Sequence, residues 1–305
     1  MRRVLKWIGW VLLALLAVVA VLVASNWDNI QRHFLGGVKV YETKPPTLPA
    51  EVKRPAILVF SKTNGYRHED SIAKASALLQ AQAQAAGWGI YETENGAAFS
   101  PAILARFDAV VFNNVSGDVF TPDQRAAFKA FVEGGGGFVA MHASGGDFSY
   151  AWDWYVNELI GAQFIGHPMK PQFQKATVRV TDKTHPSTAT LPESFERTDE
   201  WYSFDRVPPK PGYHVLMTLD ETSYRTVFEP TFFYSKDIAM GKEHPIAWWH
   251  CQGKGRAIYN AMGHMPETYA EPAYQAMLSG AIKWALRLEG EGCEIPATLV
   301  KGAAQ

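Results

Sequence analysis

Four short apolar runs, each closed by a turn signal and separated by helical stretches, restrict what this chain can fold into more than any other feature. Ala56–Phe60 follows a proline and stops before Thr63-Asn64-Gly65, and Trp88–Glu92, Ala109–Asn113 and Phe138–His142 repeat the pattern. A strand that is apolar at nearly every position is buried on both faces, as in parallel sheets covered by helices. The intervening segments agree. Ser71 to Ala86 is rich in Ala, Leu and Gln and ends at Gly87, and Pro101 to Phe107 reads as a short helix. Thr121 fits an N-cap, with Pro122 at the first helical position and Gln124 at the capping-box position of a helix that runs to Glu133. The glycines 134–137 stop that helix. They lack the Gly-Lys-Ser/Thr ending of a phosphate loop and precede a strand, so no nucleotide site is read there. The alternation predicts an α/β fold with a mostly parallel central sheet and helices on both faces.

The second half is less regular. Thr177–Val180, Val215–Leu219, Ile246–His250 and Arg256–Asn260 read as strands, and Ala270–Leu288 as a closing amphipathic helix. Long loops rich in aromatics and histidine lie between them, and long loops in a compact domain are usually functional.

Ahead of this domain, Ile8 to Ala24 carries no charge and follows Arg2, Arg3 and Lys6. The stretch is just long enough to cross a bilayer, and its flanking charges keep the N-terminus cytoplasmic. The expected organisation is an anchor over residues 1–25, with lipid contact over residues 4–24. A Pro-containing extended linker covers 26–54, an α/β domain 55–290 and a tail 291–305. The globular part is then held outside the cytoplasm, on the periplasmic or extracellular face of the inner membrane. Val23-Ala24-Ser25 supports the competing reading, a cleaved signal peptide and a secreted domain. Lys+Arg 29 against Asp+Glu 30 leaves no basic field for nucleic acid. Two cysteines are too few for a disulfide scaffold or a Cys-rich zinc site. Such a location permits a Cys251–Cys293 bridge, but Cys251 ends an apolar run and Cys293 lies in a Gly/Glu-rich tail. We read them as unpaired.

Ligands of parallel sheets bind beyond the carboxyl ends of the strands. That edge gathers Arg67-His68 after the first strand, Asn113 at the end of the third, His142 at the end of the fourth and His264 after the Arg256–Asn260 strand. Gly166-His167-Pro168, Asp199-Glu200-Trp201-Tyr202 and His244-Pro245 join them. Imidazoles and carboxylates in one cleft suit acid–base catalysis near neutral pH, and equally a divalent metal. Each has a plainer reading: His-Pro pairs form extended turns, His142 can be a satisfied core histidine, and Asp199-Glu200 a solvated turn. His185 is read as structural.

In this order, Ser61 to His68, Gly134 to His142, Gly166-His167-Pro168, Asp199 to Tyr202, Asp220 to Tyr224, His244 to Trp248 and Gly263-His264 resemble the trehalose-utilisation, or ThuA-like, family. The resemblance covers about Ala56 to Leu288. It implies a class I glutamine amidotransferase-like sandwich, flavodoxin-like and three-layered. The amidotransferases of that superfamily carry a cysteine nucleophile in a turn after a strand. Here the matching stretch is Ala140-Met141-His142-Ala143-Ser144, so glutaminase chemistry is not expected. The resemblance implies carbohydrate catabolism. The reading is a hydrolase or lyase on a disaccharide, glycoside or keto-sugar, with His142, His264, Glu200 and Asp199 as catalytic groups. Arg67, His68, Asn113, Tyr202 and Trp248 are substrate-binding candidates, and a divalent metal on His142, His167, Glu200 and His264 is the alternative cofactor chemistry. The competing function is a non-catalytic carbohydrate-binding or scaffolding domain.

Overall fold

A computed structural model describes residues 2–209 and 211–293 of the chain; most of the expected tail, residues 294–305, lies outside the described residues. The helices are α1 (Arg2–Ser25), α2 (Trp27–Phe34), α3 (Glu69–Ala86), α4 (Pro101–Leu104), α5 (Pro122–Glu133) and α6 (Pro272–Ala285). The strands of the first half are β1 (Ala56–Phe60), β2 (Gly89–Thr93), β3 (Ala109–Asn113) and β4 (Gly137–Met141). Then come β5 (Phe164–Gly166), β6 (Phe173–Val180), β7 (Ser194–Glu200), β8 (Ser203–Phe204) and β9 (Tyr213–Asp220). The remainder are β10 (Val227–Thr231), β11 (Tyr234–Asp237), β12 (Pro245–Gln252) and β13 (Gly255–Asn260).

One nine-stranded sheet runs β2-β1-β3-β4-β13-β12-β9-β6-β7. The first five strands are mutually parallel, and β1, β3 and β4, apolar but for Asn113 at the end of β3, are buried at every position. Along β3 and β4, Phe112 and Phe138 turn to one face and meet the Phe128 ring of α5 at 5.1 and 5.5 Å. Val139 and Met141 turn to the other, alongside Met277 and Leu278 of α6. That is the α/β sandwich expected from the pattern. The N-terminus of α5 is closed by reciprocal bonds between Thr121 and Gln124.

From β13 onward every pairing is antiparallel. Successive reversals restore β7 to the direction of the parallel set, so its carboxyl end points to the same edge. Only Thr177–Val180 of β6 pairs with β9. The Phe173–Ala176 half of the β6–β7 ribbon is therefore free of β9, and it carries Asp199 and Glu200 to the loop after β13. Two two-stranded sheets, β5–β8 and β10–β11, fill the long loops.

Two expectations are corrected. Residues 26–54 are not a free extended spacer: they begin with α2, and the rest lies along the domain. Arg32 donates to the carbonyls of Thr63 and Gly65, Tyr41 to Asp118, and Lys62 pairs with Glu42. The cysteines are also bonded: Cys251 and Cys293 form a disulfide with Cα atoms 5.3 Å apart. The chain after α6 folds back because the Arg256 guanidinium takes the carbonyls of Trp284, Glu289, Gly290 and Gly292. That return brings Cys293 beside the end of β12. The helix α1 is long and apolar enough to cross a membrane or serve as a signal sequence, and none of its residues is buried.

Candidate functional site

Where β4 ends, the backbone turns sharply at His142, which takes a left-handed φ of +44°. Residues other than Gly rarely adopt this conformation, and a strained residue between a strand and a helical turn is the geometry of a nucleophile elbow. The turn itself, His142–Gly145, is helical and fully buried. It lies flat because Gly145 and Gly146 have no side chain; a Cβ on either would strike the rings of Tyr259 or Tyr202. The elbow thus presents an imidazole. Ser144 does not stand in as a nucleophile: its hydroxyl donates to Phe112 O and accepts from Val115 N, both at 3.0 Å, and it is buried.

Around His142 the structure assembles a compact polar cluster. Its Nδ1–H donates to the carbonyl of Ala261 at 2.8 Å, leaving the Nε2 lone pair as an acceptor. The Tyr202 hydroxyl donates to that Nε2 at 2.8 Å, and the Tyr202 ring stacks on the imidazole. Nδ1 of His264 lies 3.3 Å from the same Nε2 and 3.0 Å from Oε2 of Glu200. The other oxygen of Glu200 accepts from Gln172 and sits 3.3 Å from Nε2 of His167. His68, just before α3, packs edge-on to His142 and His264 at centroid distances of 4.8 and 4.6 Å. The His264 loop is tied to α3 by a bond from Ser71 to the His264 carbonyl.

Burial, reinforced by the other imidazoles, holds His68 well below the ordinary histidine range and lowers His142 to about 3. Both are neutral at physiological pH. Burial would raise Glu200, but the His264 hydrogen bond and the neighbouring His167 and His142 pull it below the usual carboxylate range. Burial and the nearby Glu200 push Tyr202 well above its usual value, so it stays a proton donor.

The cluster opens into a cleft of about 630 Å³. Its lining includes Tyr66, Phe148, Phe164 and Phe228, and Arg32, His33 and Phe34 of α2. His68, His167, Glu200, Tyr202 and His264 line it, and His142 lies wholly buried behind them. The other candidates lie elsewhere. Asp199 is wholly buried, accepting from the backbone N–H groups of Glu200, Gly263 and His264 and pairing with Arg197 at 3.1 Å. Burial nevertheless keeps its carboxyl above the ordinary value. It positions the His264 loop. Asn113 donates to Ile72 O and Ser76 Oγ, fastening β3 to α3. Arg67 is engaged by Glu69 and Glu94. Trp248 donates to Ile160 O and packs against Phe204 and Tyr259 in the core. Sequence reasoning missed Gln172 and the α2 residues; their only signal is proximity to His167 and to the apolar N-terminal run.

The fold agrees with what comparison finds. The sequence profile of the ThuA family, described as trehalose utilisation, matches residues 56–285. The chain belongs to the ThuA family. Among solved structures, a ThuA-like protein of Bacteroides uniformis is 24% identical with a TM-score of 0.64, the match covering 79% of this chain and 95% of that one. A ThuA-like protein of Parabacteroides merdae is 18% identical with a TM-score of 0.58, over 80% and 94% of the two chains. Likeness at that identity shows the fold. No curated protein sequence matches the chain.

Proposed function

We propose that this ThuA-family chain is a membrane-anchored, extra-cytoplasmic enzyme of carbohydrate catabolism that hydrolyses or eliminates a disaccharide, a glycoside or its keto form. The observation that carries the reading is the convergence of His264, Glu200 and Tyr202 in one cleft at the carboxyl edge of the sheet, with the buried His142 in contact with His264 and Tyr202 behind them. A binding module has less need for so many titratable groups in contact. In elimination from a 3-keto glycoside, the ketone acidifies the adjacent C–H. A histidine paired with Glu200 takes that proton; the C–O bond to the leaving sugar breaks; and the departing oxygen takes a proton from Tyr202 or water. The aromatic lining suits the apolar faces of a sugar ring. The disulfide supports the location, because such bonds persist in oxidising compartments.

The test is to incubate the full chain with disaccharides and their 3-keto forms, follow product release, and compare the H142A/H264A double variant. Loss of turnover with sugar affinity retained supports catalysis. Sugar binding by the parent without any turnover, abolished in the variant, supports the carbohydrate-binding module instead.

A further inference from the structure

We propose that His68, His142, His264 and Glu200 form a binding site for one first-row divalent metal ion, of the zinc, manganese or iron kind. One ring nitrogen of each histidine and one carboxylate oxygen lie within 4.8 Å of one another. Three of the separations are known atom by atom: 3.0 Å between His264 Nδ1 and Glu200 Oε2, 3.3 Å between His142 Nε2 and His264 Nδ1, and 3.6 Å between His142 Nε2 and Glu200 Oε2. Ligand bonds of about 2.05 Å set at tetrahedral angles put neighbouring donor atoms about 3.3 Å apart. The observed edges bracket that value, so an ion fits among these atoms with little movement of the backbone.

The hydrogen-bond pattern points the same way. A ligating histidine characteristically gives its second nitrogen to a carbonyl, which fixes the tautomer and aims the lone pair. His142 does this through Ala261 O. Glu200 is oriented by Gln172 on the oxygen facing away from His142 and His264. His68, more than nine-tenths buried, leaves its Nδ1 without a hydrogen-bond partner. Buried polar atoms are seldom left so, and a bound ion would recruit this ring. His167, with its Nδ1 on the Pro168 carbonyl and its Nε2 at 3.3 Å from Glu200 Oε1, stands beside the set as an orienting group. Three imidazoles and one carboxylate favour borderline transition metals over calcium or magnesium, which prefer all-oxygen shells.

The test needs no substrate. Full-length protein in detergent is stripped with EDTA and reloaded separately with ZnCl₂, MnCl₂ or ferrous salt. After dialysis, bound metal is counted by plasma mass spectrometry and affinity measured by calorimetry. We expect about one equivalent of at least one ion, and affinity weakened about a hundredfold or more in E200A and H142A. An exposed histidine outside the cluster, changed in H214A, leaves binding intact. Retention below about a fifth of an equivalent by the parent overturns the site, as does parental affinity in the folded variants. Should those variants fail to fold, pulsed paramagnetic resonance on the Mn²⁺-loaded parent decides: imidazole nitrogen couplings support the site, and their absence overturns it. Stoichiometric metal without sugar turnover would sink the proposed function and leave this site standing. Turnover by stripped, metal-free protein that retains no ion would do the reverse.

Discussion

Replacing Asp199 with Asn tests whether this residue holds the site or takes part in it. Its carboxylate accepts three backbone N–H groups at 2.9, 2.9 and 3.1 Å and faces Arg197, itself only 3% exposed at the side chain. An amide oxygen can keep two of those bonds, while the amide NH₂ is turned toward a donor. Removing one partner of a buried ion pair typically costs about 3–5 kcal/mol. Two features here reduce that. Burial already penalises the Asp199 charge, and Arg197 retains Thr268 Oγ1 at 2.6 Å and the half-exposed Glu271 at 3.4 Å. A net loss of about 2–3 kcal/mol remains, or roughly 4–12 °C in melting temperature for a domain of this size. Urea titration followed by tryptophan fluorescence, in detergent, measures it. Replacing Arg197 by Met in the same chain restores at least half of the loss, since the stranded cation is gone. A D199N protein within about 0.5 kcal/mol of the parent refutes the reasoning. So does one that loses turnover with unchanged stability, because Asp199 would then belong among the reacting groups.

Three further outcomes follow from the same geometry. Reducing the Cys251–Cys293 bond, or C251S, removes closure of a 42-residue separation; on the chain-entropy estimate this lowers stability by up to about 4 kcal/mol, read by urea titration with and without reductant. H142G is more stable than H142A by about 0.5–1 kcal/mol, because the elbow φ of +44° suits glycine and strains alanine; thermal melts of the two variants, compared directly, report the sign. His185 is lowered to about 4 by burial, so below pH 6.5 the unfolded chain takes up a proton that the folded chain refuses. Stability is full above 6.5 and falls as pH drops toward 4, by up to about 3 kcal/mol from this group. H185N shows a correspondingly flatter pH–stability curve; an unchanged slope would contradict the assignment.

The parallel half of the sheet was legible because β1, β3 and β4 bury both faces, which leaves uninterrupted apolar letters in the sequence. The capping box at Thr121 was legible because both halves of it are local. The edge convergence of His68, His142 and His264 followed from strand direction alone. By contrast, β7 reads Ser-Phe-Glu-Arg-Thr-Asp-Glu, and its buried positions are Arg197, Asp199 and Glu200. A strand whose inward residues are charged carries no hydrophobic period, so it passes for a turn. Trp248 misled in the opposite sense: an aromatic suited to stacking a sugar is equally suited to filling a core. The disulfide was hidden because it depends on a reversal after α6 that Arg256, Arg287 and Trp284 hold through backbone carbonyls, ties without sequence signature.

The helix α2 follows α1 after Asn26 and also supplies part of the rim of the cleft, through Arg32, His33 and Phe34. The segment that follows the apolar helix and the doorway are therefore the same piece of chain. Shortening the polypeptide from its front end to obtain an easily handled fragment would remove masonry from the entrance as well as the apolar helix. A protein trimmed to Ala56 would offer its histidines to solvent through a wider opening than the native chain possesses.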